Sequence, residues 1–214
     1  GLASMSILLG SGDDTLDASA VSSLGITVSG GAGDDTISGT STADSIDGGP
    51  GIDLVIELAD GTVILTDSDL DAQGNDVLVN VEEVSLQGGS GDDLIDATAF
   101  TSGPVTINGG GGDDTITTSG NEGDLIFGGD GDDTIISKAG SDVIQSGNGD
   151  DTIIVATPAD FRDAGSNFGA DDISGGANGS TGDTLQIGTA STSTGENFVA
   201  QQEGDGFFVT IVGI

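Results

Sequence analysis

The chain has 214 residues, with 37 acidic side chains and only two basic ones, Lys138 and Arg162, so its formal net charge is −35. It contains 40 glycines and no cysteine, histidine, tryptophan or tyrosine. Binding to nucleic acid or to anionic membranes is excluded because both need lysine and arginine, and serine–histidine triads, thiol chemistry, disulfides and ordinary zinc sites are excluded by the missing residues.

A nine-residue repeat, G-G-x-G-x-D-x-U-x with U a large apolar residue, recurs along the chain. Glycine at positions one, two and four permits a tight turn, and x-U-x forms a short strand with one inward apolar side chain. Eighteen residues therefore make one coil, and repeat n stacks on repeat n+2. Complete copies begin at Gly30, Gly48, Gly88, Gly109 and Gly128, and imperfect copies begin at Leu9, Gly39, Ser119, Ser137, Ser146, Ser166 and Asn178. The pattern predicts an all-β solenoid of parallel strands.

The chain also contains a longer repeat that includes several nonapeptides. Residues 6–38 match residues 85–117 at a constant offset of 79, with 18 identities in 33 positions. Both copies contain an insert after the first nonapeptide, followed by an alternating strand at 26–28 or 105–107. We expect Thr27, Ile64 and Thr106 to be among the strand centres. Duplication of a whole solenoid segment is the simplest explanation.

Three stretches depart from the nonapeptide. Residues 57–87 keep strands at 63–65, 77–79 and 84–86, which predicts a metal-poor β-helical stretch. At 155–165, Thr157 and Pro158 precede good helix formers and predict a short helical insertion. Residues 187–214 contain phenylalanine-rich strands around a hairpin turn at 203–206, which predicts a C-terminal capping hairpin, with part of a secretion signal as the alternative. The predicted domains are a β-roll at 1–186 and this cap at 187–214.

Stacking of the coils places the position-six aspartates over one another. Like-charged columns ~4.8 Å apart are unfavourable without a counterion. Carboxylates combined with the main-chain carbonyls of the turns form an all-oxygen ligand set that suits a hard cation, and Ca²⁺ tolerates irregular turns better than Mg²⁺ does. Asp-Asp pairs repeated at one fixed turn position indicate a structural role, so we expect no enzymatic activity.

These repeats resemble the haemolysin-type calcium-binding repeats of RTX (repeats-in-toxin) proteins. The resemblance implies a right-handed parallel β-roll with several Ca²⁺ ions between turns n and n+2. In that family the position-six aspartate and the turn carbonyls are the ligands. Carried over to this chain, the predicted metal ligands are Asp14, Asp35, Asp44, Asp53, Asp93, Asp114, Asp124, Asp133, Asp142, Asp151, Asp171 and Asp183, with Gly33, Gly51, Gly112, Gly131 and Gly149 supplying carbonyls. The best pairs are 114 with 133, 133 with 151, 124 with 142, and 35 with 53.

The resemblance also implies secretion from a Gram-negative bacterium by the type I route, with folding outside the cell. The functional prediction is an extracellular calcium-binding segment that helps a larger secreted protein to fold, as a monomer with no transmembrane segment. Two alternatives stay open. One is an adhesin or surface-layer module that binds polysaccharide or cells. The other is the non-catalytic tail of a secreted protease, lipase or alginate epimerase.

Overall fold

The computed structural model describes residues 5–72, 74–118, 123–138 and 140–155, together with four later strands at 171–174, 184–187, 197–203 and 206–212. Every regular element in this part of the chain is a β-strand, so no helix there could cross a membrane. The strands are β1 (Met5–Ser11), β2 (Thr15–Asp17), β3 (Ile26–Ala32), β4 (Thr36–Ser38), β5 (Ser45–Asp47), β6 (Leu54–Leu58), β7 (Thr62–Thr66), β8 (Asp69–Asp71), β9 (Asn75–Val79), β10 (Glu83–Gln87), β11 (Leu94–Ala99), β12 (Val105–Gly111), β13 (Thr115–Thr117), β14 (Leu125–Asp130), β15 (Thr134–Ser137), β16 (Val143–Asn148), β17 (Thr152–Val155), β18 (Asp171–Ser174), β19 (Thr184–Ile187), β20 (Asn197–Glu203) and β21 (Gly206–Val212).

Outside β7–β9 and the C-terminal pair β20–β21, successive strands alternate between two sheets, which makes a β-solenoid of about seven turns. Sheet A has the order β1-β3-β5-β9-β8-β7-β11-β13-β15-β17-β19, and sheet B has the order β2-β4-β6-β10-β12-β14-β16-β18-β21-β20. Consecutive coils pair in parallel, as between β13 and β15. The predicted all-β parallel roll is confirmed.

The core between the sheets consists of apolar columns with one buried side chain per strand. Parallel pairing in register stacks these side chains directly, and each β-branched residue fits the half-buried pleat of its strand. The clearest columns are Ile95, Ile116, Ile135 and Ile153 in sheet A, and Ile107, Ile126 and Ile144 in sheet B. Burial of each such side chain contributes about 1.5–3 kcal/mol. The columns hold the glycine turns in line.

Three of the expected strand centres do not point into the core. Thr27 and Ile64 are exposed and Thr106 is half-buried, because their strands are longer than the minimal three residues. In β3 the two flanking residues, Ile26 and Val28, point into the core instead, and β7 and β12 show the same alternation. The strands were predicted correctly, but the inward position within these three was wrong.

The stretch without nonapeptides contains an antiparallel meander. The predicted strands lie in β7, β9 and β10, and a further short strand, β8, pairs antiparallel with both β7 and β9. Leu70 at the centre of β8 is fully buried. Sheet A consequently has three strands between β5 and β11, where sheet B has only β10 between β6 and β12.

The duplicated segments lie on opposite sheets. Strands β1 and β3 of the first copy belong to sheet A, whereas their equivalents 79 residues later, β10 and β12, belong to sheet B. Strands β2 and β4 correspondingly move from sheet B to β11 and β13 in sheet A. The duplicated unit therefore advances by an odd number of half-coils, since the whole meander occupies one sheet.

The C-terminal strands form the predicted hairpin. β20 and β21 pair antiparallel along their whole length, and β21 pairs antiparallel with β18 at the end of sheet B. The hairpin thus covers the hydrogen-bonding edge of β18, which an open parallel sheet would leave unpaired. The predicted helical insertion at 155–165 falls, except for residue 155 in β17, outside the described residues.

Candidate metal centre

The position-six aspartates lie at the turns, directly before the strands, and their carboxylates are withdrawn from solvent. The core columns impose this placement, because the aspartate precedes each inward apolar residue by two positions and therefore shares its face of the chain. Asp14 in the first coil is half-buried, and the buried members are Asp35, Asp44, Asp53, Asp93, Asp114, Asp124, Asp133, Asp142 and Asp151. Asp171 begins β18, and Asp183 lies outside the described residues.

Each stacked pair of these aspartates is joined by a hydrogen bond along the solenoid axis. The main-chain amide of the earlier residue donates to Oδ1 of the later one, one coil further on. The N–O distances are 2.9 Å from Asp114 to Asp133, from Asp133 to Asp151 and from Asp124 to Asp142, and 2.8 Å from Asp35 to Asp53. All four pairs that the sequence selected are therefore adjacent in space, while their role as metal ligands stays a prediction.

The second carboxylate oxygen, Oδ2, has no hydrogen-bond partner in four of the five complete turns. Oδ2 is buried and makes no hydrogen bond in Asp35, Asp53, Asp114 and Asp133, which belong to the complete copies that begin at Gly30, Gly48, Gly109 and Gly128. A buried carboxylate oxygen without a partner is costly unless a proton or a cation neutralises it. Four of the five complete turns thus contain a buried carboxylate oxygen that a positive charge would neutralise.

This unpartnered oxygen faces the first glycine of its own turn. A Cβ added to Gly109 would stand against Oδ2 of Asp114 and 2.6 Å from the carbonyl oxygen of Gly128 in the next coil. Gly30 shows the same arrangement, with Asp35 and the carbonyl of Gly48. One carboxylate oxygen and one carbonyl oxygen therefore converge on a space that only glycine leaves open.

In two of the degenerate turns a protein group bonds the same oxygen. In the copy that begins at Gly39, the Thr40 amide donates to Asp44 Oδ2 at 2.5 Å and the Thr40 hydroxyl donates to Oδ1 at 2.9 Å. In the copy that begins at Ser137, the hydroxyl of Ser137 donates to Asp142 Oδ2. In these two turns a protein group therefore bonds Oδ2, a main-chain amide for Asp44 and a serine hydroxyl for Asp142.

Asp93 departs from the other complete copies. Its Oδ2 accepts from the Gly89 amide at 2.9 Å, and its Oδ1 accepts from the Gly61 amide at 2.6 Å. The preceding coil here is the meander and not a nonapeptide turn, so the local stacking differs.

The glycines whose carbonyls are predicted metal ligands stack in columns along the turns. A Cβ on Gly51 would collide with the carbonyl oxygen of Gly33, and a Cβ on Gly131 would collide with that of Gly112. Gly149 stands in the same relation to Gly131. The φ angles of +129° at Gly33 and +109° at Gly112 keep these turns in the region that favours glycine. Each carbonyl therefore points towards the next coil.

Burial disfavours the charged form of several of these aspartates, so their pKa values are raised. Burial raises the pKa of Asp133 to about 7, and the charges of Asp151 and Asp114 add to the effect. Burial likewise raises the pKa of Asp142 to about 6 and that of Asp114 above its ordinary value. The folded chain thus stabilises the charged forms of these groups poorly unless a cation accompanies them.

Position-five aspartates form a second ladder that sequence reasoning missed. We expect the first aspartate of each Asp-Asp pair to face solvent and do not count it as a metal ligand. These residues are mostly exposed, and their Oδ1 atoms accept hydrogen bonds from the next coil. Asp113 accepts from the Asp132 amide at 2.9 Å, and Asp132 accepts from the Asp150 amide at 2.8 Å. The position-five carboxylate accepts from an amide of the following coil, whereas the position-six carboxylate accepts from an amide of the preceding coil. The two aspartates of each pair therefore tie a turn to both of its neighbours.

Acids in the 57–87 stretch also continue the position-six ladder. The Asp44 amide donates to Asp76 Oδ1 at 2.7 Å, and the Asp53 amide donates to Glu82 Oε2 at 3.1 Å. The signal was present in the sequence, because Asp76 and Glu82 each precede a buried apolar residue by two positions, as in the nonapeptide. Gly74 precedes Asp76 at the spacing of position four, but the glycines of positions one and two are missing before both acids, so neither segment matches the nonapeptide.

These features define what could hold a metal. In the part of the chain that the structure describes, no three acidic side chains converge on one point, so an ion would need main-chain carbonyls beside its carboxylates. The complete turns provide such a mixed oxygen set, with buried carboxylate oxygens that lack partners. Hard oxygen donors of this kind fit Ca²⁺.

Comparison with known proteins agrees with this geometry. The profile of the RTX calcium-binding nonapeptide repeat matches four segments of the chain, residues 27–55, 85–99, 101–121 and 118–153. Together with the parallel solenoid, these matches define the class: the chain is an RTX-type parallel β-roll protein. A search of curated protein sequences finds no significant match.

Proposed function

We propose that this chain is an extracellular segment that folds when it binds several Ca²⁺ ions between stacked turns, and that it supports the folding of a larger secreted protein. The observation that supports this best is the set of buried, unpartnered Oδ2 atoms in the complete turns. Their positions match the repeats that the family profile recognises as calcium-binding.

The charge of the chain gives the physical reason for coupling between metal binding and folding. A net charge of −35 with two basic residues opposes compaction, and each new coil places another carboxylate over the last. The strands are as short as three residues, so the apolar columns alone offset little of the chain entropy. Neutralisation by an ion between two coils links their folding to metal binding.

Calcium-dependent folding suits a protein that is exported in the unfolded state. In a calcium-poor cytoplasm the carboxylate columns keep the chain extended, and outside the cell the ions allow the coils to form. We therefore propose type I secretion from a Gram-negative bacterium and an extracellular or cell-surface location, as the resemblance to RTX proteins implies. The folded segment acts as a monomer.

We assign no catalytic role to the chain. Both members of an Asp-Asp pair are engaged in the axial ladders, which supports a structural use of these carboxylates. Asp133 bonds the Asp114 amide, and Asp132 bonds the Asp150 amide.

Circular dichroism with calcium and chelator tests the proposal. At pH 7.5 the chain should give a coil spectrum in excess EDTA and a β spectrum in millimolar Ca²⁺, with a cooperative titration between the two. Mg²⁺ at the same concentration is the control and should produce much less β structure. A full β spectrum in EDTA at this pH would overturn the coupling between folding and metal binding.

A further inference from the structure

Glu57 stands in a position that is glycine in complete repeats. The degenerate copy at 39–47 begins with Gly39, and the coil above it reaches the same register eighteen residues later, at Glu57. In complete turns, the main-chain carbonyl of this later position faces the first glycine of the turn below, as Gly48 faces Gly30. In the degenerate turn, the side chain of Glu57 occupies that place.

The Glu57 carboxylate is buried and only partly bonded. The residue is 6% exposed, its Oε2 has no hydrogen-bond partner, and the main-chain amides of Gly39 and Leu58 bond the carboxylate. The roll therefore contains a buried carboxylate oxygen that has no hydrogen-bond partner.

Oε2 of Glu57 and Oδ2 of Asp44 both lie beside the Cα of Gly39. A Cβ on Gly39 would lie 2.8 Å from Glu57 Oε2 and 2.7 Å from Asp44 Oδ2. Asp44 is 4% exposed and is held in place by its bonds to Thr40 and to the Ile26 amide at 2.7 Å. Two fixed, buried carboxylate oxygens thus face one space, which the missing Cβ leaves open.

Among the residues that the structure describes, no basic side chain pairs with either carboxylate. Asp76 adds a further negative charge nearby. A cleft of about 250 Å³ borders Glu57 and gives solution access; its lining includes Asp17, Ser41 and Gln87. A cation from solution can reach the pair through that cleft.

We propose that Asp44 and Glu57 form a further calcium site at the first residue of the degenerate turn, with Glu57 supplying by its side chain the oxygen that complete turns supply by a main-chain carbonyl. Water from the cleft completes the coordination shell, as is common for Ca²⁺. The site lies at the edge of the stretch that lacks nonapeptides. This inference rests on the proposed calcium binding but concerns a residue outside the repeat pattern.

The calcium content of the folded protein tests the site. Equilibrium dialysis against Ca²⁺ at pH 7.5, followed by atomic absorption, counts bound ions per chain in the wild type and in Glu57→Gln, Gly39→Ala and Glu83→Gln. Gly39→Ala keeps both carboxylates and fills the space between them with a methyl group. Glu83→Gln removes the same charge from β10 and is the matched control.

We expect Glu57→Gln and Gly39→Ala each to bind one ion fewer than the wild type, with β content retained, and Glu83→Gln to keep the full count. A full count in both Glu57→Gln and Gly39→Ala would overturn the site and leave the proposed function intact. If Glu57→Gln does not fold, the count for Gly39→Ala decides. A wild type that binds no calcium would overturn the site and the proposed function together.

Discussion

The main-chain amide of Asp114 donates a 2.9 Å hydrogen bond to Oδ1 of Asp133, and the other oxygen of Asp133 is buried without a partner. One carboxylate thus performs two tasks. Oδ1 fixes the register between two coils, and Oδ2 is available to bind a cation. Because the same division recurs in Asp35, Asp53 and Asp114, the structural and the metal-binding functions of the repeat belong to one side chain.

Substitution of Asp133 should weaken both functions. Asp133→Ala removes the acceptor of the Asp114 amide and leaves that amide buried, which costs about 1–3 kcal/mol of stability, and it also removes a predicted ligand. We expect lower calcium affinity and lower cooperativity in calorimetric titrations. Asp132→Ala is the matched control, because it removes an exposed acceptor with a cost of about 0.5–1.5 kcal/mol and no predicted ligand. Equal losses in calcium affinity would mean that the register of the ligands has been assigned wrongly.

Two glycines of one turn should differ sharply in their tolerance of alanine. A Cβ on Gly109 would enter the space between Asp114 Oδ2 and the Gly128 carbonyl, whereas a Cβ on Gly111 would meet Asp130 only at 3.7 Å, an ordinary contact. Gly109→Ala should lower stability in calcium by about 1–3 kcal/mol through overpacking and should weaken calcium binding. Gly111→Ala should stay near wild type in both. Thermal unfolding and calcium titration followed by circular dichroism measure the difference, and a tolerant Gly109 would argue against an ion beside it.

Acidification should stabilise the calcium-free chain. Burial raises the pKa of Glu57 to about 8 and that of Asp133 to about 7, so the folded state binds more protons than the unfolded chain between about pH 4 and pH 8. Stability from these protons is therefore present at low pH and is lost as the pH rises through that window. In calcium-free buffer, β content should be higher at pH 5 than at pH 8.

Saturating calcium should reverse this dependence, since ligands must lose their protons to bind the ion. The melting temperature in calcium should rise between pH 5 and pH 8. A calcium-free chain with equal β content at both pH values would show that the buried carboxylates do not titrate as their burial requires.

Removal of the C-terminal hairpin should weaken folding without touching any position-six aspartate. Deletion of residues 197–214 takes away β20 and β21 and leaves the edge of β18 unpaired. We expect a higher calcium concentration at half-folding and concentration-dependent association through the open edge. Circular dichroism and light scattering report the two effects. If the shortened chain folds at the same calcium concentration and stays monomeric, the segment has another role, such as a secretion signal.

Much of this architecture could be predicted from local pattern. The spacing from Asp133 to Ile135, repeated from Asp114 to Ile116, predicts a turn, a strand and its inward face, because each complete nonapeptide supplies the same glycines and one apolar residue. The period alone then places Asp133 over Asp114. Such predictions succeed because each coil contacts only its neighbours, so spacing along the chain becomes spacing along the axis.

Other features depend on contacts that spacing does not encode. The sequence does not show which oxygen of Asp133 bonds an amide and which stays unpartnered, because that choice depends on the twist and stacking of two coils. It also does not show that the 79-residue duplication exchanges the sheets, since this follows from the antiparallel meander around Leu70. The side chains of Glu57 and Asp44 lie close together only because the next coil places Glu57 directly over Gly39. The sequence by itself determined the solenoid, its period and its chemistry, whereas only the tertiary structure decided the bonding of each carboxylate, because that bonding lies between coils.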